Sequence, residues 1–391
     1  GCDGADFFFS LLFLLFLLRR RSHADRPQFC RRRRGSFYMA MREKFTTPGT
    51  SIAAAKKSGN PFPYCMNTST IRGQKLGIDE EIEITGKAGY DGIEPWFRSI
   101  NAYKESGGKL KDLRKRIENH GLKVFSAIGF ARWIVDDDAK RKEGLEEAKR
   151  DMDTIAQLGG TRIAAPPAGA PWKGTIDPLR IAERYRALLE LGDRMGVTPQ
   201  IEMWGGNGSI GRVSTAIHIA IEADHPKACF LGDAYHTYKG GSGFDGIKLL
   251  SANALKCYHM NDYPADPPRE TIKDEHRVYP GDGIAPLTRL LKNFQSVGAS
   301  PALSLELFNR SYWKKDAMEV AKTGLAKMKA AVAKALASLQ ARRVALDLDL
   351  ARPVQQGVQQ GEIFGTGGGL LLAARLEAFP LFLRLLAPLR L

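Results

Sequence analysis

Eight apolar, strand-like runs of six to eight residues recur along the middle of this 391-residue chain, and that repetition limits its fold more than any other feature. They fall near residues 63–69, 91–97, 122–128, 160–166, 198–204, 228–233, 254–261 and 301–307. Between them lie segments with apolar residues on one helical face: Ile78–Lys87, Leu110–Asn119, Gly144–Leu158, Leu179–Met195 and Ala317–Leu336. Gly89, Gly121, Gly159 and Gly196 stand just past four of these segments, where the left-handed turn that ends a helix favours glycine. Strands alternating with helices predict a parallel sheet, because each crossover helix returns the chain to the same end of the sheet. Eight such units predict the α/β class and a single (β/α)8 TIM barrel. An open doubly wound sheet is the alternative, but no GxGxxG turn follows the first strand.

A bare barrel takes about 250 residues, so extensions are expected at both ends. The sequence divides into an irregular N-terminal extension over 1–60, the barrel over 61–340 and a C-terminal extension over 341–391. The apolar run at 7–18, FFFSLLFLLFLL, is 12 residues long, short of the ~20 a membrane-spanning helix needs. Its positive charge follows it, and no Ala-x-Ala cleavage site comes after. It reads as non-native or untranslated sequence, with a degenerate targeting segment as the alternative and Met39 or Met41 as the start. The C-terminal extension ends in a Leu/Ala/Arg-rich stretch that reads either as an amphipathic helix or as disordered.

The formal charge of +15 is unevenly spread: residues 1–60 carry +8 and 341–391 carry +2, leaving +5 on the 280 barrel residues. That argues against a nucleic-acid partner. Five cysteines with no CxxC argue against a disulfide framework or a structural zinc site, and Cys229 and Cys257 read as small core residues. A cytoplasmic protein with no membrane contact by its barrel is expected, and a homo-oligomer is left open.

Glu202, Asp233, His259 and Glu306 close the last four runs, in TPQIEMWG, KACFLGDAY, ALKCYHMND and PALSLELFN. A barrel gathers its strand ends round one mouth, so these four are expected to converge on a divalent ion. Three oxygen ligands and one nitrogen suit Mn²⁺ first, with Mg²⁺, Co²⁺ or Zn²⁺ as alternatives. One Glu after a strand is ordinarily solvated or ion-paired; four in phase are not so easily explained. All five tryptophans (Trp96, Trp133, Trp172, Trp204 and Trp313) follow strand-like runs. Rings around a polar centre suit the C–H faces of a sugar, although tryptophans can also simply cap a barrel mouth. Glu94 closes the second run and is expected either to bond a substrate hydroxyl or to pair with Arg98. Lys239 reads as solvated or as an anion contact. The long loop Asp262–Gly283 has the length of a lid, with Asp262 supporting the rim.

The motifs GYDGIEPW (Gly89–Trp96), PQIEMWG (Pro199–Gly205), GDAYHTYKGG (Gly232–Gly241), YHMNDYP (Tyr258–Pro264), HRVYPGDG (His276–Gly283) and LSLELFN (Leu303–Asn309) together resemble the xylose isomerase-like TIM-barrel superfamily. Within it the chain is similar to the sugar phosphate isomerases/epimerases, and so to ketose 3-epimerases and inosose dehydratases. The resemblance spans about 275 residues from Tyr64 to near Leu339. It implies that Glu202, Asp233, His259 and Glu306 are metal ligands and that His236 and Arg277 contact substrate. With Glu94, Trp96 and Trp204 these complete the candidate substrate-binding set.

The expected function is a divalent-metal-dependent isomerase or epimerase acting on a small ketose or keto-sugar through an enediolate. Glu202 and Glu306 would be the acid/base pair. If both are ligands only, another group moves the proton. A dehydratase on a keto-sugar or inosose begins with the same proton removal and is the runner-up. An endonuclease IV-like activity ranks low because only His236 and His259 lie at strand ends. A non-catalytic sugar-binding barrel ranks low because the ligand set is intact.

Overall fold

The computed structural model describes residues 60–359. Its strands are β1 (Tyr64–Asn67), β2 (Gly92–Glu94), β3 (Lys123–Val124), β4 (Arg162–Ala165), β5 (Thr198–Glu202), β6 (Phe230–Asp233), β7 (Leu255–His259) and β8 (Ala302–Leu305). Each lies inside one of the eight predicted runs. All pair in parallel, in the order β3-β2-β1-β8-β7-β6-β5-β4. The first and last strands therefore meet, with Tyr64 opposite Leu303 and Met66 opposite Leu305. Between β3 and β4 the backbone N–H of Ala164 donates to Ala127 O at 2.9 Å and completes the ring. The result is a (β/α)8 TIM barrel with every strand's C-terminal end at one mouth.

The helices are α1 (Ile78–Ala88), α2 (Phe97–Glu105), α3 (Leu110–Asn119), α4 (Asp138–Gln157), α5 (Pro178–Met195), α6 (Val213–Glu222), α7 (Ala234–Lys239), α8 (Leu287–Ser296) and α9 (Ala317–Gln359). Their apolar faces pack on the outside of the sheet. Ile82, Ile117, Ile155, Leu188, Ile219, Phe294 and Met328 join Met66, Ile93, Ile201 and Leu303 in one buried cluster. The opposite, inward-pointing strand residues are mostly small: Cys65, Ala164, Cys257 and Ala302 form a second cluster inside the ring with the larger Leu231. The period-two alternation of side chains thus fills both layers.

Several expectations need correction. α4 begins at Asp138 and not near Gly144, capped by Asp137, whose carboxylate accepts from the Lys140 N–H at 3.0 Å. α9 runs 43 residues to Gln359; it passes Leu336 because no glycine or proline stands there to stop it. Helices α2, α6, α7 and α8 were not singled out from the sequence. The apolar run at 7–18 and the candidate starts lie outside the described residues, as does the chain after Gln359. Among the described residues no helix is long and apolar enough to cross a membrane.

Candidate metal centre

The last four strands deliver their terminal side chains to the mouth as the sequence predicts, but not as four equal ligands. One ligand atom each from Asp233, His259 and Glu306 lies within 4.8 Å of the others, and all three residues are buried. His259 Nδ1 is 3.1 Å from Glu306 Oε2 and 3.5 Å from Asp233 Oδ2. It makes no hydrogen bond to either, which leaves a buried nitrogen without a partner. An imidazole nitrogen facing two carboxylate oxygens is a donor set that fits a borderline divalent ion. Glu202 stands beside this trio and outside its 4.8 Å group, with Oε1 accepting from Trp204 Nε1 at 3.2 Å.

The other face of His259 is fixed from behind. Its Nε2 is 3.0 Å from Glu94 Oε2, an oxygen that also accepts from Asn67 Nδ2 at 2.9 Å and Ser304 Oγ at 2.6 Å. Glu94 is fully buried. It does not line the cavity, and it does not pair with Arg98, the other partner the sequence suggested. It orients the imidazole so that Nδ1 points at the carboxylates. Burial would raise the Glu94 pKa, but His259, Ser304 and Asn67 together hold it below the ordinary value. Burial would lower the His259 pKa, and the surrounding Glu306, Glu94 and Asp233 raise it well above the usual imidazole range.

Arg277 is 1 % exposed and reaches into the same cluster. Its Nη1 donates to Asp233 Oδ2 at 3.0 Å and to Glu306 Oε2 at 2.8 Å, and Nη2 pairs with Asp274. Burial works against ionised Asp233, yet Arg277, His236 and His259 overcome it and hold that carboxyl well below the usual range. Glu202 lacks such a partner. Burial pushes it up to about 8, opposed by His259 and reinforced by the charges of Glu306 and Asp233. His236 sits where Gly205 N–H approaches Nδ1 at 3.1 Å and Arg277 Nη2 approaches Nε2 at 3.0 Å. A neutral imidazole has one acceptor nitrogen, so the ring serves one of these at a time. Burial lowers its pKa, with Asp233 opposing and Arg277 adding to the effect.

These groups open into a cavity of about 630 Å³ whose wall includes Glu202, His236, Arg277 and Glu306 together with Trp96, Trp172, Trp204 and Trp313. Trp133 does not take part: it is 1 % exposed, packs on Tyr185, and donates to Pro166 O at 2.8 Å. Position after a strand was too coarse a signal to separate it from the other four. Lys239 is half-buried and does not line the cavity; its Nζ holds the carbonyls of Arg269 and Glu270 at 3.0 and 2.9 Å.

Three residues at the site were not anticipated. Asn67, closing β1, donates to Glu94 and, at 3.2 Å, to Glu306 Oε1. Asn261 donates to Asp233 Oδ2 at 3.0 Å and accepts from the Tyr235 N–H at 2.8 Å. Both follow or close a strand, the same signal that marked the four ligand candidates. Arg72 lies over the rings of Trp96, Phe308 and Trp313 at 5.1–5.2 Å, and nothing in its local sequence marks it.

Comparison with known proteins agrees with the barrel fold. The chain is 26 % identical over 275 residues to the inosose isomerase of Bacillus velezensis, covering 69 % of this chain and 97 % of that one. It is 25 % identical over 240 residues to the 3-dehydroshikimate dehydratase of Pseudomonas aeruginosa, covering 60 % of this chain and 37 % of the relative. Among solved structures, the IolI protein with a bound zinc atom superposes with a TM-score of 0.65 at 24 % identity, over 70 % of this chain and 99 % of that one. The xylose isomerase-like TIM barrel model matches residues 82–331, from inside α1 to inside α9. With its strand order, its mouth and that match in accord, the chain belongs to the xylose isomerase-like TIM barrel family.

Proposed function

We propose that this protein is a divalent-metal-dependent isomerase or epimerase acting on a keto-sugar or a cyclic polyol ketone. The observation that carries the reading is the buried Asp233–His259–Glu306 trio, whose Glu306 lines one aromatic-walled cavity together with Glu202. Asp233, His259 and Glu306 would hold the ion, with Glu202 beside them, and Mn²⁺ is the first candidate. When bound, the ion supplies Lewis acidity, which makes a C–H next to a carbonyl easier to deprotonate.

The chain's own residues supply the rest. Glu202 ends β5 and Glu306 follows β8, three strands apart round the ring, so they approach a bound ring from different sides. Glu306 accepts from Arg277 and Asn67, which orients it as a proton acceptor. Glu202, buried and without a cationic partner, is suited to carry a proton and return it. Removal on one face and delivery to the other face of the same carbon inverts it; delivery to the former carbonyl carbon, with the neighbouring hydroxyl's proton passing to the carbonyl oxygen, isomerises the sugar. Resemblance to an inosose isomerase over nearly its whole length supports this class.

A dehydratase is the second reading, favoured by the similarity to a 3-dehydroshikimate dehydratase. It shares proton removal and differs in expelling a β-hydroxyl. Both are tested by incubating the Mn²⁺-loaded protein in D₂O with a panel of ketoses and inososes. Deuterium beside the carbonyl supports the proton-transfer reading, and an inverted, isomerised or dehydrated product separates the classes. Absence of exchange across the panel in protein that binds metal would sink both.

A further inference from the structure

Five aromatic rings follow one another along one wall of the cavity. Trp172, Trp204, Phe130, Trp96 and Phe308 have successive centroids 6.5, 6.2, 5.2 and 5.9 Å apart. Trp204 anchors the inner end through its bond to Glu202. Trp172 and Phe130 reach solvent, at 55 % and 41 % exposure, and are among the few large apolar side chains so exposed among the described residues. Trp172 is nevertheless held in place, because its carbonyl accepts from the Gly208 N–H at 2.9 Å. The rings come from the loops after β2, β3, β4, β5 and β8, whereas the loop after β7 gives the cavity Lys273, Asp274 and Glu275.

One sugar ring has about the face of one indole, so a monosaccharide at Glu202 and Glu306 would cover one or two of the five rings. The others would remain a contiguous wet aromatic surface, which folded proteins usually keep for a ligand. The cavity of about 630 Å³ also has room for more than one ring. We propose that the site takes a glycoside. Its reacting sugar ring, which carries the ring ketone that proton removal needs, lies at Glu202 and Glu306, and its second ring, a sugar or an aromatic aglycone, stacks on Trp172 and Trp204. The inference rests on reading the site as a sugar-acting centre.

The test is calorimetric binding of 4-nitrophenyl β-glycosides of glucose, galactose, mannose and xylose, each against its free sugar, on the full-length Mn²⁺-loaded protein. At least one glycoside is expected to bind tenfold or more tightly than its parent sugar. Trp172→Ala should bring that ratio close to one, and Trp172→Phe should keep most of it. Trp172 is half exposed, so the variants' melting curves should match the parent's. The proposal is overturned if no glycoside outbinds its sugar, or if the ratio survives Trp172→Ala. Binding is read without turnover. Trp172-dependent glycoside binding without deuterium exchange would therefore fail the proton-transfer readings and leave this one, while exchange into free ketoses with no glycoside preference would fail only this one.

Discussion

Glu94 shapes the site without touching the cavity. A buried carboxylate behind the imidazole fixes which nitrogen faces Asp233 and Glu306, where the ion is proposed to bind, so Glu94→Gln should weaken metal affinity by about 10–100-fold, read by competition against a coloured chelator. Glu202→Gln and Glu306→Gln should each abolish deuterium exchange with the fold retained; near-parental exchange in either would end the two-carboxylate mechanism. Glu81 gives a stability prediction far from the ion. Its Oε1 accepts from Ser99 Oγ at 3.2 Å, its Oε2 has no partner, and burial pushes its pKa up to about 8. A carboxyl that folding makes harder to ionise favours the native state below its unfolded pKa, and that contribution is lost as pH rises toward about 8. Glu81→Gln should flatten this fall and stabilise the protein at pH 8 by on the order of 2 kcal/mol, read from denaturant curves at pH 5 and pH 8. The ligand candidates were legible because a charged residue ending an apolar strand has one place to go in a barrel. Asn67 and Asn261 occupy equivalent positions, but a neutral amide at a strand end is too ordinary to stand out. Arg72 was hidden because two loops far apart in the sequence, after β2 and after β8, bring the rings that frame it.

The loop from Asp262 to Gly283 is tied at both ends and carries its cargo between them. Asp262 pairs in an antiparallel bridge with Val278 and accepts from the N–H groups of Tyr263, Gly281 and Ala285 at 2.8–2.9 Å. A Cβ on Gly283 would stand 2.4 Å from Asp262 Oδ1 and 2.2 Å from Tyr263 O, so only glycine lets the returning chain pass so close. Asp262→Ala should release this clasp, displace Arg277 and lower kcat/KM by about tenfold, an RT ln 10 effect of about 1.4 kcal/mol. Faster proteolysis within residues 264–275 would accompany it, and unchanged proteolysis would show that the clasp is not what holds the loop. Helices were less legible than strands for local reasons. α6 reads VSTAIHIAIE, rich in β-branched residues that favour strands in isolation, and its place between β5 and β6 overrides that preference. The first turns of α4, DAKRKE, are polar on every side, so no apolar stripe announced them.

The barrel as a whole is expected to respond to the ion. A ligand that binds only the folded chain adds stability in proportion to the logarithm of its concentration, about 2.7 kcal/mol at a hundred times its Kd. Mn²⁺, Co²⁺ or Zn²⁺ should therefore raise Tm, a chelator should reverse the gain, and His259→Ala should show neither; a metal-independent Tm would remove the ion from the account. The eight-unit architecture was legible because its alternation repeats through some 240 residues, so an error in one unit leaves the count intact. The seam of the ring lies at the site. Asn67 of β1 bonds Glu306 across 239 positions, Thr70 Oγ1 donates to Leu305 O at 2.7 Å and accepts from the Leu307 N–H at 3.1 Å, and Trp313 reaches back to Ser69 O at 3.0 Å. During synthesis, then, the ribosome releases Glu202, Asp233 and His259 long before the segment that joins them to β1. A nascent chain carries most of the chemistry and none of the centre, and the enzyme comes into being in one late step, when its eighth strand finds its first.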